Sequence, residues 1–100
     1  MPRSLSSIRE ALESALARLS IADELTHYPI WSEWDAIVGE AIARHARPRR
    51  LRGGVLVVAV DGPDWMHELR FLKDDLLAKL NGRLGRPVVR DVYLVLEGEP

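Results

Sequence analysis

The chain has 100 residues, 47% apolar and 29% charged, with a formal net charge of −1 and no cysteine. That is enough for one small domain with a modest core, and it excludes global disorder, a disulfide framework and a thiolate metal site. No apolar run approaches the ~18 residues of a membrane span, and the opening MPRSLSSIRE lacks the apolar segment of a secretory signal, so the expectation is a soluble cytoplasmic protein over residues 1–100.

Charge is distributed unevenly. Residues 1–43 hold seven acids and three bases, and residues 61–100 hold eight acids and six bases. Between them, residues 44–60 hold five arginines (Arg44, Arg47, Arg49, Arg50 and Arg52) and no acid. Such segregation creates a local positive field on an otherwise acidic body.

The first element, over residues 1–25, is an amphipathic helix. Leu5, Ile8, Leu12, Ala15, Leu16 and Leu19 recur at helical spacing, and Ser4, Ser6 or Ser7 is a suitable N-cap. Thr26 to Pro29 break the pattern, and a second helix is expected from Ile30 to Ala46. Trp31, Trp34, Ile37, Val38, Ala41 and Ile42 form its apolar stripe. Gly39 within it costs about 1 kcal/mol relative to alanine, which close approach of a neighbouring backbone would explain.

The period then changes. VLVVAV (residues 55–60) is short and β-branched, hence a strand, and Gly53-Gly54 suits a two-residue hairpin turn. RPRRLR becomes the partner strand, at a sheet edge because Pro48 lacks an N–H. A regular hairpin places Arg52 opposite Val55, Leu51 opposite Leu56, Arg50 opposite Val57 and Arg49 opposite Val58. Leu51, Leu56, Val58 and Val60 then share the core face with Arg49, while Arg50 and Arg52 project from the other face.

A third helix starts at Asp61-Gly62-Pro63, with a stripe of Trp65, Leu69, Leu72, Leu76 and Leu80, and stops at Gly82 after Asn81. The last strand, PVVRDVYLVLEG, offers Val88, Val92, Leu94 and Leu96 to the core. Val89, Asp91, Tyr93, Val95 and Glu97 face the other way, so Tyr93 joins Arg50 and Arg52 on the open face. The order α–α–β–β–α–β predicts an α+β domain in which helices cover one face of a three-stranded sheet.

An arginine-rich edge strand either discourages aggregation or binds phosphates, for which the forked guanidinium is well suited. A nearby tyrosine suits base stacking on single-stranded nucleic acid. GRLG (residues 82–85) is similar to the glycine-flanked loop with which KH domains clamp a nucleic-acid backbone, but its position fits a helix stop better; Arg83 and Arg86 remain within the candidate phosphate contacts. Catalysis finds no support. His27, His45 and His67 have no metal-ligand spacing, the serines form no nucleophile elbow, and no P-loop is present. Neither an enzyme, a cofactor nor a metal is expected.

The residues in order resemble the DciA family of bacterial proteins. The matching positions are Trp34, Val38-Gly39, His45, Pro48, Leu51, Gly54, Trp65, Glu68-Leu69, Leu72-Lys73, Leu80-Asn81 and Gly85. They run from about Trp31 to Gly98. The resemblance implies a KH-like fold over residues 30–98. It also implies association with the DnaB-type replicative helicase at the replication fork, helicase loading without an ATPase of its own, and DNA binding. On this reading Arg44, Arg47, Arg49, Arg50, Arg52, Arg83, Arg86 and Tyr93 face single-stranded DNA, and Trp65, Leu69 and Lys73 face the helicase. Many DciA-like proteins carry a long basic extension, whereas this chain ends in the acidic EGEP; the expectation is a minimal member or part of a longer protein. A small KH-like RNA-binding module and an adaptor for an acidic protein surface are the alternatives.

Overall fold

The sheet is built on the most apolar segment of the chain. In the computed structural model, which describes residues 5–98, strand β2 (Val55–Val60) is central, with β1 (Ala46–Arg52) antiparallel on one side and β3 (Asp91–Leu96) parallel on the other. The β-branched run VLVVAV favours an extended strand, and its alternate residues give the helices one apolar face to cover. Leu56, Val58 and Val60 are buried on the helix-covered face together with Val92.

Preceding the sheet are helix α1 (Leu5–His27) and three short helices, α2 (Pro29–Ser32), α3 (Trp34–Val38) and α4 (Glu40–Ala43). Helices α5 (Pro63–Phe71) and α6 (Lys73–Leu84) connect β2 to β3. The fold is therefore α+β, as expected, with a mixed three-stranded sheet. Ile30, Trp34, Val38, Leu69, Leu76 and Leu80 descend from the helices onto the sheet and complete the core. The other sheet face carries exposed Arg50, Arg52 and Tyr93.

Several local expectations are corrected. The second helix is three pieces rather than one, because Glu33 and Gly39 leave helical geometry. Gly39 has φ 94° and ψ 152°, a region that only glycine occupies readily, and no atom lies within 4 Å of where its Cβ would be. Backbone conformation, not close packing, accounts for this glycine. The third helix breaks at Leu72 and continues to Leu84, stopping at left-handed Gly85 rather than at Gly82. The GRLG segment thus ends a helix, with the Gly85 N–H donating to the Asn81 carbonyl at 2.9 Å.

Strand β3 starts later than the alternation suggests. Val89, not Val88, is the buried valine, with 2% exposure. Asn81 selects it: its Nδ2 donates to the Val89 carbonyl and its Oδ1 accepts from the Val89 N–H, each at 2.8 Å. One side chain on α6 thereby replaces a missing strand partner just before β3 joins the sheet.

Helix α1 packs on the rest chiefly where it meets α2. Its side chains Ile8, Leu12 and Leu16 are more than half exposed. Ser4 and the side chains of Leu5, Ser6 and Leu19, assigned above to the cap and the stripe, lie outside the described residues.

Candidate functional site

Hairpin β1–β2 sets where the arginines point. The turn at Gly53-Gly54 and the pairs Arg52–Val55, Leu51–Leu56 and Arg50–Val57 occur as expected. Beyond them the register slips: Pro48, not Arg49, lies opposite Val58. This bulge corrects the placement of Arg49 on the core face. The extra residue leaves the alternation, and Arg49 and Arg50 both line a trough of about 480 Å³ on the open face, with Val57, Ala59, Tyr93, Val95 and Glu97.

Three of the five clustered arginines meet carboxylates from distant parts of the sequence or the preceding turn. Arg44 reaches Glu40 at 2.7 Å, Arg47 approaches Asp35 at 3.8 Å, and Arg49 meets Glu97 at 3.0 Å. All these pairs are exposed, so they are weak and exchangeable. Arg50 and Arg52 have no ion-pair partner among the described residues, and both are exposed. The positive field is therefore concentrated at the turn end of β1.

Arg90 adds to it, a residue that charge clustering along the sequence does not single out. Its guanidinium donates to the Gly53 carbonyl, and its stem lies over Gly54, where a Cβ would come within 2.6 Å of Arg90 Nε. The signal lies in the parallel pairing of β3 with β2, which brings the residue just before β3 to the hairpin turn.

The other two candidate phosphate contacts lie elsewhere. Arg83, on α6, grips Glu33 through Nε and Nη2 at 2.8 and 2.6 Å, on the helical side of the molecule. The hydrogen bond and charge of Arg83 hold the Glu33 carboxyl below the ordinary glutamate range, and Glu33 raises the Arg83 guanidinium in return. Arg86 lies beside His27, Pro87 and Val88, in the loop between α6 and β3. Neither joins the open-face cluster.

At the opposite end of β2, Trp65 stacks on His45 with ring centroids 4.5 Å apart. Asp61 fixes that histidine: its Oδ2 lies 3.0 Å from His45 Nδ1, and its N–H donates to the His45 carbonyl at 2.9 Å. The indole is half-buried and forms a shallow recess with Asp64 and Glu68. Leu69, also assigned to the partner surface, is 0% exposed. That assignment is corrected: four residues beyond Trp65, Leu69 lies on the inner side of α5 and belongs to the core. Lys73 is half-buried and approaches Asp91 at 3.8 Å, joining the start of α6 to the start of β3. Phe71, 77% exposed at the end of α5, is an apolar surface residue that the stripe did not flag. Trp34 is internal, its Nε1–H donating to the Ala46 carbonyl at 2.8 Å. Among the described residues no three metal-ligating side chains come together, and no helix is long and apolar enough to cross a membrane.

The sequence profile of the family described as "Dna[CI] antecedent, DciA" matches residues 7–94. The chain belongs to the DciA family. A UPF0232 protein of Mycobacterium tuberculosis is 38% identical over 71 residues, covering 71% of this chain and 38% of that protein. A UPF0232 protein of Rhodococcus jostii is 32% identical over 85 residues, covering 84% of this chain and 45% of the relative. A third, from Mycolicibacterium smegmatis, is 40% identical over 62 residues, 62% of this chain and 32% of its own length. The chain thus spans less than half the length of these DciA-family relatives.

Proposed function

We propose that this DciA-family domain binds the DnaB-type replicative helicase and single-stranded DNA together and helps place the helicase on the DNA, without hydrolysing ATP itself. One observation carries the reading. In a DciA-family chain, the sheet face left uncovered by helices presents Arg50 and Arg52 free of ion pairs among the described residues, beside exposed Tyr93. Guanidinium groups bind phosphate oxygens by forked, charge-assisted hydrogen bonds, and an exposed aromatic ring stacks on bases of any identity.

Arg50 and Arg52 then take DNA phosphates first, with Arg90 adding charge at the turn. Arg44, Arg47 and Arg49 exchange their carboxylates for phosphate as the strand settles, and Arg86 lies outside this path. Arg83 keeps its pair with Glu33. Trp65, held flat by His45, faces the helicase, and Leu69 supports it from the core; Lys73, beside Asp91 at the other end of the sheet, lies outside this contact. No covalent step is involved: binding energy shifts the helicase ring toward a DNA-accepting state.

Size-exclusion chromatography with light scattering tests the pairing. The chain is mixed with a DnaB-type helicase from the same organism, with and without a single-stranded oligonucleotide. A complex of defined mass is expected. Separate elution under both conditions, with a helicase shown to be active, refutes the reading.

A further inference from the structure

The open sheet face has more detail than a basic patch requires. The register aligns Arg50, Val57 and Tyr93 in one row across the three strands. Strands β1 and β3 lie about 10 Å apart, twice the spacing of neighbouring strands. That leaves an apolar floor at Val57 between a guanidinium on one side and a phenol ring on the other. Tyr93 is 60% exposed, although an aromatic side chain gains most from burial. The bulge doubles the positive charge at one side of the row, because Arg49 and Arg50 both line the trough.

The trough also contains one acid. Glu97 follows β3 and is anchored by its own N–H, which donates to the Val60 carbonyl at 2.7 Å. Its carboxylate reaches across β2 to Arg49 at 3.0 Å. An exposed pair of this kind adds little to stability and opens readily. A carboxylate on a guanidinium occupies the position that a phosphate oxygen takes.

From these observations we propose that the open face holds a one-nucleotide subsite for single-stranded DNA, in which the base stacks on Tyr93, Arg49 and Arg50 hold the adjoining phosphate, and Glu97 is a built-in competitor displaced on binding. The proposal rests on the DNA-binding reading above and specifies its site. Single-stranded DNA is the occupant because the base face must be free to stack, and the charge of the trough is complementary to a phosphodiester chain. In a duplex the base faces are already stacked.

Fluorescence anisotropy with the full chain tests this, using a labelled thymidine oligonucleotide and the same oligonucleotide carrying abasic sites. Tyr93→Ala is expected to weaken binding to the thymidine strand by at least about fivefold and to leave abasic binding nearly unchanged, while Tyr93→Phe keeps the wild-type affinity. Glu97→Gln is expected to tighten binding about two- to fivefold and to steepen its salt dependence. In an Arg49→Ala background, Glu97→Gln should give no gain. Circular dichroism melts confirm that the variants remain folded. Equal loss on both strands for Tyr93→Ala, or no gain for Glu97→Gln, overturns the subsite while leaving DNA binding standing. A wild-type chain that binds neither strand overturns both. Tighter binding to the matching uridine RNA, with the same Tyr93 dependence, overturns the assignment to DNA.

Discussion

Asn81→Ala should be among the most damaging single substitutions outside the apolar core. Asn81 holds both polar groups of the Val89 peptide, each at 2.8 Å, and Val89 is 2% exposed. The alanine variant strands a donor and an acceptor where water enters poorly. Each unsatisfied group costs about 1–3 kcal/mol, so the loss is about 3 kcal/mol after partial relaxation. For a domain of this size, whose total stability is on the order of 5–15 kcal/mol, that lowers the melting temperature by roughly 15 °C. Asn81→Asp sharpens the test. At neutral pH the new carboxylate accepts from the Val89 N–H but repels the Val89 carbonyl, so stability also falls. Once protonated the carboxyl donates to that carbonyl, and much of the loss is regained on acidification. Urea unfolding followed by circular dichroism, at neutral pH and near pH 4, measures both effects. A loss below about 1 kcal/mol for Asn81→Ala would refute the role given to this side chain.

Three further outcomes follow from the same geometry. Reversing the charge of Arg50 and Arg52 together should lower the logarithmic salt slope of single-stranded DNA binding by about 0.7 for each phosphate no longer neutralised, whereas Arg83→Glu should leave it unchanged; anisotropy titrations from low to moderate salt decide. The Glu33 contribution to stability is fully present above the ordinary glutamate pKa, about 4.3, and is lost as pH falls through the lower value that Arg83 imposes on the folded chain. Glu33→Gln should therefore flatten the acid limb of a melting-temperature profile and change nothing in its shape above pH 6. Leu69→Ala should cost about 3 kcal/mol by opening a core cavity, while Trp65→Ala should abolish helicase binding with the circular dichroism spectrum retained. Helicase pull-down paired with urea unfolding separates the two.

The sheet was legible because its signals are local. A β-branched run, a Gly-Gly turn and a proline at an edge specify β1 and β2 within fifteen residues, and the register of Arg50 to Arg52 follows from the turn. What the sequence concealed depends on distant contacts or on single residues. The bulge at Arg49 leaves no trace in a strand that is mostly arginine, since alternation cannot be read where both faces carry the same residue. A helix break at Leu72 shifts the apolar stripe too little to disturb its period. Val88 and Val89 are chemically equal, and the contact that distinguishes them, Asn81 on the Val89 backbone, comes from another element. Two of the arginine partners lie far along the chain: Glu97 is 48 residues from Arg49, and Glu33 is 50 from Arg83.

Several of the positions carrying the DciA resemblance prove to hold the fold. Trp34 anchors the Ala46 carbonyl, His45 supports Trp65, Gly54 admits the Arg90 stem, and Asn81 pins Val89. A family motif therefore located the architecture better than the proposed DNA-binding face. The residues proposed for that face, Arg50, Arg52, Arg90 and Tyr93, are absent from the motif and share one sheet face or its adjoining turn.

The most direct test of the central claim is helicase capture on closed circular single-stranded DNA, which a preformed ring cannot thread from an end. Helicase retained on the circles after gel filtration is measured with and without this chain, with no other loader present. The chain should raise the retained helicase several-fold, and Trp65→Ala and the Arg50/Arg52 charge reversal should each abolish the gain. Equal retention with and without the chain, under conditions where the helicase unwinds a forked linear substrate, would contradict it.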